Sequence, residues 1–258
     1  MDVLIFCGQS NMQGESEGLP FSNAVVQNAK QYLFCSDSLV PLKHPVGEDI
    51  YCNEQLMLAA SCNGCGTLVP AFCRQYIETS CRNVVAIHVA KGATTIADWL
   101  PDTLRYKCAV NKILSGIRLA NATEKVQHVY LVWLQGESDA ISAVSTEDYL
   151  KKLVTLKDAL KRDVGLHKFG IIQVGYFASQ VDWLNDSVDV RRTHDENIML
   201  AQQLACKQED FVLLTDVCKT LSVNADFINP NVCGHYNNLA LDLIGQTAGK
   251  ALAKIANN

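Results

Sequence analysis

The chain of 258 residues carries 22 Lys and Arg against 27 Asp and Glu, which gives a formal net charge of −5. With 48% hydrophobic and 19% charged residues, the composition is that of a soluble globular protein and excludes a disordered or collagen-like chain. The acidic balance also argues against nucleic acid as a partner, because such binding depends on clustered Lys and Arg.

Short apolar runs rich in Val and Ile alternate along the chain with longer segments of helical periodicity. The predicted strands are residues 3–7, 84–90, 129–134, 169–174 and 211–214. The predicted helices are residues 70–81, 103–120, 146–164, 192–207 and 238–256. This alternation predicts one domain over residues 1–258, a three-layer α/β/α sandwich around a parallel sheet of about five strands. Residues 16–67 and 174–192 are expected to form loops or insertions.

Neither a membrane-spanning helix of ~18 apolar residues nor a signal peptide is visible, so we expect a cytoplasmic protein without a membrane partner. The 11 cysteines are an odd number and would leave a thiol unpaired in an oxidising compartment. Reduced thiols are therefore expected. Cys62-Asn63-Gly64-Cys65 has the spacing of a zinc ligand pair, but no second pair follows, so a turn is favoured over a metal site.

In folds of this class ligands bind beyond the carboxyl ends of the strands. Directly after the first predicted strand, Gly8-Gln9-Ser10-Asn11-Met12 places a hydroxyl at a strand-to-loop turn. Ser10 is thus a candidate nucleophile that needs a histidine to take its proton. A simple Ser/Asn turn or helix N-cap is the alternative.

Among the histidines, His235 is the best candidate for that base. It lies in a loop just before the last predicted helix, where it could overhang the strand ends, although a loop histidine is often merely solvated. His88 lies inside a predicted strand. His128 and His167 lie at strand starts, which is the opposite end of the sheet from the expected site.

The third predicted strand runs into Gln135-Gly136-Glu137-Ser138-Asp139. The Gln135 amide could donate to a developing oxyanion, and Glu137 or Asp139 could accept a hydrogen bond from a histidine and stabilise its imidazolium. A loop that caps the next helix is the alternative.

Four sequence blocks together resemble the SGNH-type carbohydrate acetylesterases, which include sialate O-acetylesterases and the acetylxylan esterases of carbohydrate esterase family six. The blocks are GQSNM at 8–12, AKGATTIADW at 90–99, WLQGESDA at 133–140 and GHYNN at 234–238. The resemblance implies a flavodoxin-like SGNH hydrolase without cofactor or metal. Its implied activity is that of a serine esterase that removes O-acetyl groups from a small acetylated sugar.

The resemblance also implies roles for individual residues. Ser10 would be the nucleophile and His235 the general base. The oxyanion hole would be formed by the backbone N–H groups of Ser10 and Gly92 and by the side chain of Gln135. The family often has two glycines where this chain has Gly92-Ala93, so the identity of the backbone donor in this block stays open.

The orienting carboxylate is where this chain departs from the wider superfamily, which usually has an aspartate three residues before the histidine. That position is Val232 here, and valine cannot accept a hydrogen bond. The resemblance therefore moves the role to Glu137, with Asp139 as the second candidate.

Substrate contacts are less clear from the sequence. Trp99 could stack on a sugar ring, and Arg192 could hold the carboxylate of a sialic acid, although core packing and a solvated helix start are the respective alternatives. Gln9 and Asn11, on either side of Ser10, are further candidates. Sialic acid is favoured over xylan because polymeric xylan cannot enter a cell. Short xylo-oligosaccharides, and a catalytically silent carbohydrate-binding module, are the alternatives.

Overall fold

The computed structural model describes residues 1–20, 23–48, 51–53, 56–57, 65–181 and 183–257. Its strands are β1 (Asp2–Gly8), β2 (Ala29–Leu33), β3 (Ser38–Pro41), β4 (Tyr51–Asn53), β5 (Leu56–Met57), β6 (Val84–Ala90), β7 (His128–Leu134), β8 (Lys168–Ile172) and β9 (Phe211–Thr215). In these ranges, seven strands form one sheet in the order β3-β2-β6-β1-β7-β8-β9, while β4 and β5 form a separate antiparallel pair. Within the main sheet only the β2–β3 pairing is antiparallel.

The predicted three-layer sandwich with a largely parallel sheet is confirmed, but the strand number is corrected from about five to seven. The five predicted strands are β1, β6, β7, β8 and β9, whose order 2-1-3-4-5 along the sheet is that of a flavodoxin-like fold. The additional strands β2 and β3 lie in the stretch that the sequence left irregular. They are short and partly exposed at one edge, so they lack the continuous apolar run of a strand buried on both faces.

Helices cover both faces of this sheet. They are α1 (Ser10–Gln13), α2 (Val69–Ser80), α3 (Leu104–Thr123), α4 (Glu137–Ile141), α5 (Thr146–Val164), α6 (Val188–Ala205), α7 (Cys218–Leu221) and α8 (Asn238–Ala256). The bounds of α5 and α8 are as predicted, whereas α6 begins at Val188 because the Ser187 side chain caps its first turn. None of the helices in the described ranges has the length and apolar character needed to cross a bilayer.

The tightest helix contact joins α2 and α8. A Cβ atom built on Gly249 of α8 would lie 2.4 Å from the backbone oxygen of Phe72, and one built on Gly245 would lie 2.5 Å from that of Leu68. Both glycines therefore allow the two backbones to approach closely. On the other face, α5 contacts both α3 and α6.

The register of the central strands places three chain segments at one edge of the sheet. Gly8, the last residue of β1, is paired with Ala90 of β6 on one side and with Leu134 of β7 on the other. All three strands are parallel, so the residues that follow them emerge at the same level. Each of the first three blocks of the family resemblance follows one of these strand ends.

Candidate active site

Ser10 is positioned by a sharp turn at the end of β1. Gly8 has a φ of +154°, and a Cβ atom there would lie 2.0 Å from the backbone oxygen of Leu134, so only glycine fits this close approach. Gln9 then forms the N-cap of α1, and Ser10 is the first residue of this short helix. The hydroxyl-bearing residue is thereby held at the carboxyl edge of the central strand.

The structure brings His235 to Ser10 across 225 residues of sequence. The Nε2 atom of His235 lies 2.8 Å from Ser10 Oγ, within hydrogen-bond distance. The loop that carries His235 is fastened on both sides. Asn229 donates its backbone N–H to the His235 carbonyl at 2.7 Å, and Tyr236 donates its backbone N–H to Asn11 Oδ1 at 3.2 Å.

The other ring nitrogen of His235 fixes the tautomer. Nδ1 lies 2.9 Å from the backbone oxygen of Cys233, and because a carbonyl can only accept, Nδ1 must carry the hydrogen. In the neutral ring Nε2 is then the acceptor that faces the Ser10 hydroxyl. This is the arrangement that a general base requires.

Glu15 is a further charged group of this site, and the sequence did not predict it. Its Oε2 atom lies 3.0 Å from Nε2 of His235, the same nitrogen that faces Ser10. Burial, the largest single effect, acts to lower the pKa of His235, but the hydrogen bond and charge of Glu15, with smaller contributions from the Cys233 carbonyl and the charge of Glu137, together leave the pKa above its usual value. Glu15 therefore favours the protonated form of the base.

Glu137 is buried near His235 but does not hydrogen-bond to it. Its Oε1 atom accepts a hydrogen bond from Asn11 Nδ2 at 2.8 Å, while Oε2 is a buried oxygen without a hydrogen-bond partner among the described residues. Burial raises the pKa of this carboxyl group. The orienting contact on Nδ1, which the sequence assigned to Glu137, is made by the Cys233 carbonyl. Glu137 instead acts on the ring through its charge, and Asn11 links it to the backbone of Tyr236.

Asn11 is consequently not a substrate contact. Its side chain is buried, and both ends of its amide are engaged in the interior. A similar correction applies to Trp99, which is 1% exposed and packs edge-to-face on Trp133 with ring centroids 6.0 Å apart. Its indole N–H donates to Thr94 Oγ1 at 3.0 Å, so Trp99 belongs to the core.

Gln135 is buried behind the site and does not line it. Its amide nitrogen donates to Gln9 Oε1 at 3.1 Å, to the Thr94 carbonyl at 2.9 Å and to Asp139 Oδ2 at 2.5 Å. Asp139 also accepts from the backbone N–H of Ile96, which leaves it bound to Gln135 and not to His235. Burial raises the pKa of Asp139 to about 6. The prediction that Gln135 points into an oxyanion hole is therefore corrected, because its donors are used in the interior.

Gly92 does lie beside Ser10, as expected. A Cβ atom built on Gly92 would be 3.4 Å from that of Ser10. Its backbone N–H, however, donates to Gln13 Oε1 at 2.5 Å. The next residue, Ala93, has a φ of +57° and lines the cavity above Ser10 together with Gly92. The backbone N–H of Ala93 therefore stays a candidate donor.

A cavity of about 330 Å³ opens above Ser10 and His235. Its walls are formed by Gln9, Ser10, Glu15, Lys91, Gly92, Ala93, Ser138, Ile141, Phe177, Trp183 and His235. Trp183 is 65% exposed and lies in the stretch 174–192, where no periodicity marks its position. The tryptophan that lines this cavity is therefore Trp183, and not Trp99 as predicted.

Arg192 lies in a different place. It lines a larger cavity of about 630 Å³ together with Tyr176, and its guanidinium carbon is 4.4 Å from the centre of the Tyr176 ring. Neither Ser10 nor His235 lines that cavity. The expected contact between Arg192 and a sugar bound at Ser10 is therefore not supported by the geometry.

The zinc alternative falls partly outside the described ranges, because Cys62 belongs to the residues that are not described. Cys65 has a thiol whose pKa is raised by burial and by the nearby Glu15 and Glu17. Within the described part of the chain, no group of three or more His, Cys, Asp or Glu side chains could hold a metal ion.

Several solved structures have a similar fold. A protein of Arabidopsis thaliana aligns over 99% of this chain and 98% of its own, with a TM-score of 0.67 and 18% identity. A carbohydrate acetylesterase from Xanthomonas citri aligns over 98% of this chain and 55% of its own, with a TM-score of 0.55 and 15% identity. An α/β hydrolase from the metagenome of Lake Arreo, Spain, covers 100% of this chain and 97% of its own, with a TM-score of 0.51 and 12% identity. At these identities the similarity shows the fold alone.

The sequence itself gives the family. No curated protein is significantly similar to the chain. The profile of the family described as "carbohydrate esterase, sialic acid-specific acetylesterase" matches residues 1–222, which include Ser10 and Glu137 and end before His235. This match confirms the resemblance to the carbohydrate acetylesterases, and the chain belongs to this carbohydrate esterase family.

Proposed function

We propose that this protein is a serine esterase that removes O-acetyl groups from an acetylated sugar through an acetyl intermediate on Ser10. The observation that carries the proposal is the 2.8 Å contact between Ser10 Oγ and Nε2 of His235, in a ring whose Nδ1 is held by a carbonyl. A nucleophile, a base of the correct tautomer and an acetylesterase family together favour acyl transfer over simple sugar binding.

The proposed reaction has two halves. His235 Nε2 takes the proton of Ser10 as Oγ attacks the acetyl carbonyl carbon. The bond between that carbon and the sugar oxygen then breaks, and His235 gives its proton to the leaving oxygen. In the second half His235 takes a proton from water as the water oxygen attacks the carbonyl carbon of acetyl-Ser10. The bond from that carbon to Ser10 Oγ then breaks, His235 returns its proton to Oγ, and acetic acid leaves and ionises to acetate in solvent.

Two features support a sugar as the alcohol. The exposed Trp183 in the cavity wall offers an aromatic face of the kind on which sugar rings stack. Lys91 lines the same cavity and offers an ammonium group to a sugar carboxylate, the role first expected of Arg192. Together with the family description, these features favour sialic acid over acetylated xylo-oligosaccharides.

The intermediate can be tested directly. Wild-type protein is mixed with an aryl acetate, quenched in acid and digested, and the peptide that contains Ser10 is analysed by mass spectrometry. We expect an acetyl group on Ser10 in the wild type and no acetylated peptide in Ser10→Ala. In His235→Ala the adduct should form far more slowly, because nothing removes the hydroxyl proton. Turnover of the aryl acetate with no adduct on Ser10 at any quench time would contradict the proposed intermediate.

A further inference from the structure

The side chain of Gln9 is held next to Ser10 by three interior donors. Its Oε1 atom accepts hydrogen bonds from the backbone N–H groups of Gly136 at 3.3 Å and Ser138 at 3.2 Å, at the start of α4. Gln135 Nε2 is the third donor, at 3.1 Å. Because a backbone N–H can only donate, the atom that faces these groups must be the oxygen of the carboxamide. The orientation of the whole planar amide is thereby fixed.

The amide nitrogen of Gln9 lies on the other side of the carboxamide from the oxygen that accepts these three hydrogen bonds. This nitrogen donates to no residue in the described part of the chain. Nor is it one of the fully buried side-chain atoms there that lack a hydrogen-bond partner, which means that it is not sealed off from solvent. Gln9 forms part of the cavity wall together with Ser10. An N–H₂ group with unused hydrogens therefore borders the space in which the bond to Ser10 would form.

We propose that Gln9 Nε2 is the side-chain donor of the oxyanion hole, in the role that the family resemblance gives to Gln135. This inference rests on the proposed function. When Ser10 Oγ bonds to the acetyl carbon, the electron pair of the C=O π bond moves to the carbonyl oxygen, and the Gln9 N–H₂ donates to that oxygen. The N–H of Ser10 at the start of α1 supplies a second donor.

Gln135 acts through Gln9 and is a positioning residue. Its amide nitrogen is shared among Gln9 Oε1, the Thr94 carbonyl and Asp139 Oδ2. The Tyr149 hydroxyl is within donating distance of both Gln135 oxygens, 2.8 Å from the backbone carbonyl and 3.0 Å from Oε1. The chain Asp139–Gln135–Gln9 thus orients the donor before any substrate binds, so little reorganisation is needed as charge develops.

Two substitutions distinguish a Gln9 side chain that donates to the oxyanion from one that only supports the local structure. Gln9→Glu keeps an oxygen for the N–H groups of Gly136 and Ser138 but replaces the N–H₂ group by a second oxygen. Gln9→Met removes the donor without adding charge. We expect both to lower kcat for an aryl acetate by about 10² to 10³-fold, the usual effect of losing one oxyanion donor, with little change in KM. The kcat values are compared on the pH plateau of each variant.

The matched control is Gln173→Met, which buries a methionine in place of another interior glutamine. Gln173 Nε2 donates to the Met199 carbonyl at 3.0 Å, and the residue does not line the Ser10 cavity. This variant should keep the wild-type kcat. Binding of an aryl boronic acid, which forms a tetrahedral adduct on the serine, should weaken in the two Gln9 variants by the same factor as kcat/KM falls.

The possible outcomes separate this inference from the proposed function. If wild-type protein is active, Ser10→Ala is inactive and both Gln9 variants keep wild-type kcat and boronate affinity, Gln9 is not the donor but the esterase stands. If wild-type protein shows no turnover that depends on Ser10, the proposed function fails and this inference fails with it.

Discussion

At the scale of single residues, two side chains face the same ring nitrogen, Nε2 of His235. Ser10 Oγ lies 2.8 Å from this nitrogen and Glu15 Oε2 lies 3.0 Å from it. The neutral ring can accept from the serine, whereas the protonated ring can donate to the carboxylate. The same nitrogen therefore faces a nucleophile that needs a free base and an anion that favours the protonated form.

This competition predicts the pH dependence of the reaction. Only neutral His235 can take the Ser10 proton, and its pKa is raised, so the acidic limb of kcat/KM should lie above the usual histidine pKa of about 6.5. Glu15→Gln removes the charge beside Nε2, which should move this limb to lower pH and increase activity in mildly acidic buffer. The charge of Glu137 and the carbonyl of Cys233 act on the ring in both proteins.

The measurement is a profile of kcat/KM against pH with an aryl acetate. Glu17→Gln is the matched control. Glu17 is an exposed carboxylate two residues after Glu15, and it accepts a hydrogen bond from the backbone N–H of Asn238 and none from His235. It should leave the limb in place. A limb that stays put in Glu15→Gln, or that moves to higher pH, would refute the assigned role of Glu15.

Among the secondary-structure elements, the packing of α8 on α2 holds the segment that follows His235. The Cβ that alanine would add at Gly249 meets a backbone oxygen at 2.4 Å, and a backbone atom inside a helix cannot rotate away. Overpacking of this kind costs about 1–3 kcal/mol, while alanine gains about 1 kcal/mol over glycine in helix propensity. The steric cost should be the larger effect.

We therefore expect Gly249→Ala to lower the free energy of unfolding by about 2 kcal/mol, measured by urea denaturation. Lys250→Ala changes the next, exposed position of the same helix and should stay within about 0.5 kcal/mol of the wild type. An increase in stability for Gly249→Ala would show that propensity prevails and that the two helices can separate without cost.

The elements also show what a sequence can and cannot specify. The predicted central strands are right because parallel strands buried on both faces leave continuous apolar runs. Strands β2 and β3 were missed because both are short and partly exposed, with β3 at the sheet edge, so they leave no such run. Ser10 was singled out because it follows a strand end and His235 because it lies in a loop before the last helix, and the structure places the two side chains 2.8 Å apart. Trp183 was not singled out, since its place depends on how an irregular segment packs.

Glu15, which the sequence did not predict, illustrates the same limit within the site, and Gln9 was expected only as a substrate contact. Both flank the nucleophile in sequence, and Glu15 follows Ser10 by only five residues, so a short helix after Ser10 would have returned it to the site. Which of the polar neighbours face the cavity depends on tertiary contacts. The chain Asp139–Gln135–Gln9 joins segments that are 126 residues apart, and no local pattern encodes it.

At the scale of the whole molecule, the net charge of −5 does not decide whether an anionic sugar binds, since the local field at the cavity does. The walls of that cavity include Glu15, Lys91 and His235, and Glu15 lies beside His235. The proposed preference for a sugar acid therefore depends on Lys91 at this cavity and not on the charge of the whole chain.

The proposed esterase activity is measured as acetate release from O-acetylated sialic acid, acetylated xylo-oligosaccharides and an aryl acetate, each with wild-type protein and Ser10→Ala. We predict release by the wild type, fastest with the sialic acid ester among the sugars, and none by Ser10→Ala. Faster release from the xylo-oligosaccharides would correct the substrate and keep the mechanism. No release from any of the three esters would contradict the account and favour a carbohydrate-binding protein on the same fold.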